Sequence, residues 1–298
     1  MNELFAIDPT ACRDPRDVTL LIRSFGPETG RYAVKMPGNW RTLLEGALLD
    51  RLRDIEKQRL KLGLERLERK FGLIERGGFP AQIDGCWRTV AEGFALKQPA
   101  DIDGLVVDES VPLSDKHYWI DDERFEHDAS ETFECRAEEF ARVSRTFLNL
   151  SKEIVIIDPY LDFFKRTDRV VVEALLQQFR KGRHYKAVFW TRRGSQSDDV
   201  DGLDRVLVEI GKSTDLGRNT ELIVNLVDDL GARDKMHGRR LLSIIGGIAF
   251  DQGFRERRGR WNEASPMAGA VWEKYWKGFV EGEMDLNVVR VFSHSSAK

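Results

Sequence analysis

The chain has 298 residues, 41% of them hydrophobic and 33% charged, with a formal net charge of −3. This is enough apolar material for one large or two modest cores, and the near-balanced charge excludes a chain that attracts nucleic acid or anionic membrane over its whole surface; local patches remain open. Cys12, Cys86 and Cys135 are far apart and lack zinc-ligand spacing, so a disulfide framework, a metal site and a cofactor are not expected, and a reducing cytoplasm is the simplest setting.

The first residues, Met1-Asn-Glu-Leu-Phe-Ala-Ile-Asp8-Pro9, lack the basic-then-apolar order of a signal peptide. No uncharged apolar run approaches the ~20 residues of a bilayer span. Residues 1–40 carry turn signals at Asp8-Pro9, Asp14-Pro15, Gly26-Pro27 and Pro37-Gly38 and read as irregular. Val18–Ile22 reads as a helix start and Tyr32–Met36 as a strand.

From Trp40 to Ile74 the pattern is helical. Leu48, Leu52 and Ile55 form one stripe, and Leu60, Leu64, Leu67, Phe71 and Ile74 a second. The spacing fits a long helix, or two broken near Gly63, presenting a core face that can also serve a dimer. Asp54, Glu65 and Glu68 interrupt the basic residues and argue against a nucleic-acid helix. Gly77-Gly78 ends the pattern, and Trp87–Leu96 reads as a short helix. Residues 101–139 are strongly acidic, as expected of a solvated connector or a surface for a protein partner. The domain division follows: a mostly helical region over 1–130, for a partner or a second protomer, and a second domain over 131–298.

Beyond 130 strands and helices alternate. Phe133, Ala137, Phe140, Ser144, Phe147 and Leu148 mark a helix. Glu153-Ile-Val-Ile-Ile157 is a buried-type strand ended by Asp158-Pro159. Val170–Gln178 is a helix, Ala187–Trp190 a strand, Leu203–Ile210 a helix and Leu222–Val227 a strand. Two apolar strands around Gly246-Gly247 follow, read as a hairpin turn rather than a phosphate loop. Ala270–Phe279 is a late helix and Leu286–Phe292 a last strand. The order predicts an α/β layer with a mainly parallel sheet.

The chemistry-bearing residues sit before that hairpin. His237-Gly238-Arg239 places an imidazole and a guanidinium two residues apart, which on a strand puts both on one side, able to meet one phosphate. Arg240, Arg255, Arg257, Arg258 and Arg260 follow, with Arg233 and Lys235 before. Thr191-Arg192-Arg193 follows a strand, and Trp261 beside Arg260 can stack a base. Asp158 should lie at the carboxyl end of a strand, where open sheets bind ligands; an Asp-Pro turn, common after a strand, is the plainer explanation. His184, ahead of Lys186, reads as surface.

This order resembles the phospholipase D superfamily over residues 133–292. It is similar to the phospholipase D-like C-terminal domain of microtubule-interacting-and-transport proteins, with Asp158-Pro159-Tyr160 after the first strand and His237-x-Arg239 before a glycine-containing hairpin. The fold so implied is a phospholipase D-like layered sheet with flanking helices. In the family's His-x-Lys-x4-Asp motif the His attacks phosphorus, the Lys neutralises the oxygens, and a second His protonates the leaving group. His237 would then be nucleophile or acid and Arg239 the cation. Arg240 would stabilise charge, Arg192 and Arg193 would hold the backbone, and Asp158, Gln252 and Arg255 would complete the substrate-binding set, without a metal.

The chain departs from the family motif. Ile244 occupies the position of the motif Asp, and Asp251, Gln252 and Phe254 fall where Gly-Ser-x-Asn continues it, so the groups that orient the catalytic pair are missing. With one motif per chain, a working site implies a homodimer. The resemblance implies a metal-independent nuclease or phosphodiesterase, of a type associated with bacterial host defence. The competing expectation is a catalytically inactive module or scaffold that binds nucleic acid, a phosphorylated ligand or a protein partner.

Overall fold

Residues 2–70, 72–97, 101–179, 185–198, 200–214, 220–228 and 235–295 are described by the computed structural model. The chain divides into two units, Asn2–Ala129 and Ser130–Lys298. Phe71, His184, Arg233 and Asp234 lie outside the described residues.

The first unit is not mostly helical. Its strands are β1 (Glu3–Ile7), β2 (Arg31–Val34), β3 (Leu73–Ile74), β4 (Gly104–Val106) and β5 (His117–Tyr118). They form one sheet in the order β3-β2-β1-β4-β5, with every pair parallel. Helices α1 (Pro15–Ser24), α2 (Trp40–Leu48), α3 (Asp54–Arg69) and α4 (Trp87–Ala95) accompany it. Buried parallel strands show no alternation of polar and apolar residues. Here they are also short, so helix periodicity dominates the sequence.

The acidic stretch is likewise no mere connector. It supplies β4 and β5, and Ile102, Leu105, Val106 and Val107 are buried. Its carboxylates flank these few apolar residues and hide them from a composition-based reading. At Gly104 a Cβ would come within 2.6 Å of Phe5 and 2.7 Å of Tyr118, so glycine lets the Phe5 ring lie against the strand. That ring meets Phe25, Tyr118 and Phe125 edge-on, with centroids 5.4, 5.2 and 5.5 Å away. The 40–74 region breaks at Leu49–Arg51, a 3-10 turn, and not at Gly63, which stays inside α3 against Val18.

The second unit is mixed α/β. Its strands are β6 (Glu131–Glu134), β7 (Glu153–Ile157), β8 (Tyr185–Arg192), β9 (Thr220–Val227), β10 (Arg239–Ser243), β11 (Gly246–Phe250), β12 (Trp261–Pro266) and β13 (Val288–Ser295). Helices α5 (Ala137–Leu150), α6 (Arg166–Leu176), α7 (Leu203–Ser213) and α8 (Gly269–Phe279) flank them. Phe133 belongs to β6, not to the helix that follows it. Among the described residues the sheet has eight strands in the order β13-β9-β8-β7-β10-β11-β12-β6.

Only β7, β8 and β9 run parallel; every other pair is antiparallel. The expected mainly parallel sheet is therefore a parallel centre with antiparallel wings. The β10–β11 hairpin opens one wing, and β13 returning antiparallel to β9 makes the other. The hairpin turn is Ile244-Ile245, and Gly246 and Gly247 are the first residues of β11, paired with Ser243 and Leu242. A Cβ at Gly247 would meet Met267 at 2.7 Å and Trp272 at 3.2 Å, so this glycine serves packing under α8. Phe279, Val155, Ile157, Val188 and Leu242 fill that face. Phe133, Phe140, Phe250 and Phe254 cluster through their rings. Among the described residues no helix is long and apolar enough to cross a membrane.

Candidate functional site

The sheet topology brings four chain segments to one edge. β7 ends at Ile157, and antiparallel β10 begins beside it, with Arg240 opposite Ile157. β8 ends at Arg192, and β11 returns to the same edge with Phe250 opposite Arg239. A cleft of about 250 Å³ opens there, lined by Asp158, Tyr160, Asp168, Arg239, Gly253, Arg255 and Arg257.

Asp158 is buried at the cleft floor. It caps its own turn: Oδ1 accepts from the Tyr160 N–H at 2.9 Å, and Oδ2 accepts from the Phe254 N–H at 2.9 Å. A Cβ at Gly253 would stand 2.8 Å from Oδ2, so glycine is what lets the carboxylate approach this backbone. Burial pushes the Asp158 carboxyl above its ordinary range, helped by Asp168 and opposed by the two N–H donors and by Arg239.

Because its folded value lies above its unfolded value, folding favours the protonated acid. The stability contributed by Asp158 is complete below the unfolded carboxylate value of about 3.9 and is lost as pH rises through the raised folded value. Asp158→Asn cannot titrate. The stability of the wild type relative to this variant should therefore fall as pH climbs from about 4 towards neutrality. Urea midpoints of both proteins across that range test this, and a flat difference would mean that burial does not shift Asp158.

Asp168 lies in the first turn of α6 and is 1% exposed. Arg255 grips it with both arms of the guanidinium: Nε donates to Oδ1 at 2.5 Å and Nη2 to Oδ2 at 2.7 Å. The Thr167 hydroxyl and the Asp162 N–H also donate to this carboxylate, at 2.9 and 3.0 Å. The pairing raises the already high Arg255 value further. Arg255 Nη2 also reaches the Tyr160 carbonyl at 3.2 Å. The pair thus ties α6, the turn after β7 and the segment after β11 into one wall.

Arg239 is held less tightly. Its Nε lies 4.0 Å from Asp158 Oδ1, an ion-pair distance without a hydrogen bond, and Nη1 reaches the Asp251 carbonyl only at 3.4 Å. Among the described residues its Nε is buried without a hydrogen-bond partner. Its guanidinium lies over the Tyr160 ring, 5.2 Å from the centroid, and that of Arg192 lies 4.5 Å from the same centroid. The lining carries Arg239, Arg255 and Arg257 against Asp158 and Asp168, so the balance is positive, and burial favours neutral Asp158.

Of the residues singled out by sequence, Asp158, Arg239, Arg255 and Arg257 line this cleft, and Arg192 reaches it through Tyr160. His237 does not. It is exposed, precedes β10, and is followed by Gly238 at φ +78°. The same-side rule holds only along continuous strand, and Gly238 interrupts it. The His237 carbonyl accepts from the Tyr275 hydroxyl at 2.6 Å. Arg240 leans to the opposite face from Arg239, 5.4 Å from the Tyr275 ring centroid. Arg193 is exposed in a 3-10 turn. Gln252 bonds Asp251 through its side chain, and Asn262 holds its backbone.

Sequence reasoning placed Tyr160 only in a motif and gave no role to Asp168 or Gly253. An acid in a helix's first turn ordinarily reads as a partner of the helix dipole, which masks Asp168. Among the described residues no cluster of His, Cys, Asp or Glu is arranged to hold a metal ion.

No family model matches the chain, and no curated protein matches it. Among solved structures the chain resembles TrmBL2, an archaeal chromatin protein whose structure shows a novel mode of DNA binding. The identity is 13%, the match covers 84% of this chain and 71% of that one, and the TM-score is 0.29. A likeness at that score carries no argument about fold or function.

Proposed function

We propose that the Ser130–Lys298 unit is a phospholipase D-like domain that binds a phosphodiester in the cleft around Arg239, and that its activity is binding rather than hydrolysis. The observation that carries this is Arg239 itself, a cleft-lining guanidinium whose Nε stands at ion-pair distance from Asp158 but has no hydrogen-bond partner among the described residues. A bound phosphate would pair with the partly exposed guanidinium through charge-assisted hydrogen bonds. Arg255, already fixed by Asp168, adds a preorganised charge. Binding without turnover accords with an imidazole that lies outside the lining and with the missing orienting groups of the motif.

The test is a titration with inorganic polyphosphate in EDTA at low and at raised salt. The proposal expects binding that weakens as salt rises, since ion pairing at an open cleft is screened. Absence of binding at low salt would refute it. A second reading, hydrolysis on the axis of a homodimer that pairs two copies of His237, draws on one observation: His237 is exposed, so its imidazole can face another copy.

A further inference from the structure

Resting on the phosphodiester reading above, we propose that the cleft is one end of a track for single-stranded nucleic acid that continues along the arginine loop 255–260 to Trp261. Arg257, Arg258 and Arg260 are exposed, and among the described residues none of their side chains has an ion-pair or hydrogen-bond partner. This sets them apart from Arg13, Arg41, Arg124, Arg142 and Arg255, which all hold carboxylates. Cations left uncompensated within a few residues repel one another, and a polyanion relieves that repulsion.

The loop is built rather than loose. The Arg257 N–H donates to the Cys135 carbonyl at 2.8 Å, the Cys135 N–H donates to the Arg260 carbonyl at 2.8 Å, and Gly259 at φ +68° makes the turn between them. Its arginines part to two sides. Arg255 and Arg257 line the cleft, and Arg258 lines a second hollow of about 540 Å³ with Arg136, Thr167, Glu134 and Glu256. The two carboxylates there are engaged at home: Glu134 with Arg136 at 3.9 Å, and Glu256 with the Ala137 N–H at 3.4 Å.

An aromatic face marks the far end: Trp261, where the loop enters β12, is 66% exposed. An exposed indole on a sheet gains nothing from the core. A base stacked on it gains contact whatever its identity, and only an unpaired base has a free face to offer. Arginines that track phosphates up to a stacking platform therefore select single strands over duplex.

The experiment measures, by anisotropy in EDTA, the affinity of the full chain for a short labelled single strand and for its duplex, and by competition for polyphosphate. Wild type is compared with Trp261→Ala, Trp261→Phe and the triple Arg257→Gln/Arg258→Gln/Arg260→Gln variant. The expected results are preference for the single strand and about tenfold weaker single-strand binding in Trp261→Ala. Trp261→Phe should recover most of that loss, and polyphosphate binding should be unchanged by Trp261→Ala and weakened in the triple variant. Equal binding of single strand and duplex, or no effect of Trp261→Ala while polyphosphate still binds, overturns the track and leaves the cleft standing. Failure of polyphosphate to bind overturns both. All four substituted positions are exposed, so folding is expected to survive, and circular dichroism of each variant checks it.

Discussion

Arg255→Ala is expected to lower the unfolding free energy by about 3–5 kcal/mol, the range for leaving one member of a buried ion pair alone. The asymmetry of the pair sets this value. Arg255 keeps a quarter of its side chain exposed, and Asp168 only 1%. Truncating the arginine strands a carboxylate that water barely reaches, with only the Thr167 hydroxyl and the Asp162 N–H to steady it. The converse change, Asp168→Ala, leaves a guanidinium that turns to solvent at the cleft mouth, so its cost should be smaller. Replacing both, as Arg255→Met with Asp168→Leu, should recover much of the loss, because the pair's attraction largely offsets its own desolvation. Urea unfolding of the three variants measures the cycle. A cost for Arg255→Ala within the scatter of ordinary surface substitutions would show that the pair does not hold the cleft wall.

Arg239→Gln should weaken polyphosphate binding at least about tenfold, the loss expected from one or two charge-assisted hydrogen bonds. Its effect on stability should be small by comparison, since Arg239 and Asp158 stand 4.0 Å apart without a hydrogen bond. Arg239→Lys should recover only part of the affinity, because the charge remains while the forked donor geometry and the stacking on Tyr160 are lost. Isothermal titration calorimetry separates the three proteins. If Arg239→Gln binds polyphosphate as wild type does, the anion is held elsewhere.

What the sequence disclosed depended on how local each signal was. β7 is a run of buried-type residues ended by Asp158-Pro159, so both the strand and the position of Asp158 could be read directly. Arg239 and Arg255 are visible as charges close to an apolar hairpin, and they reach one cleft because β10 begins and β11 ends at that edge. His237 stands apart from the cleft for an equally local reason: one glycine at positive φ separates it from the strand that follows. The sheet of the first unit was hidden because its strands are two to five residues long and its helices carry the stronger periodicity. Asp168 was hidden because its partner Arg255 lies 87 residues away, and no spacing rule joins a helix's first turn to a loop beyond a hairpin.

The arginine cleft, and not His237, is proposed as the working site. The direct measurement is EDTA-resistant cleavage of labelled DNA and RNA by wild type and His237→Ala, with the affinity of each for the same strands. Neither protein is expected to cleave, and both should bind with equal, salt-sensitive affinity. Cleavage by the wild type that disappears in His237→Ala would contradict the proposal and establish the imidazole as the reacting group.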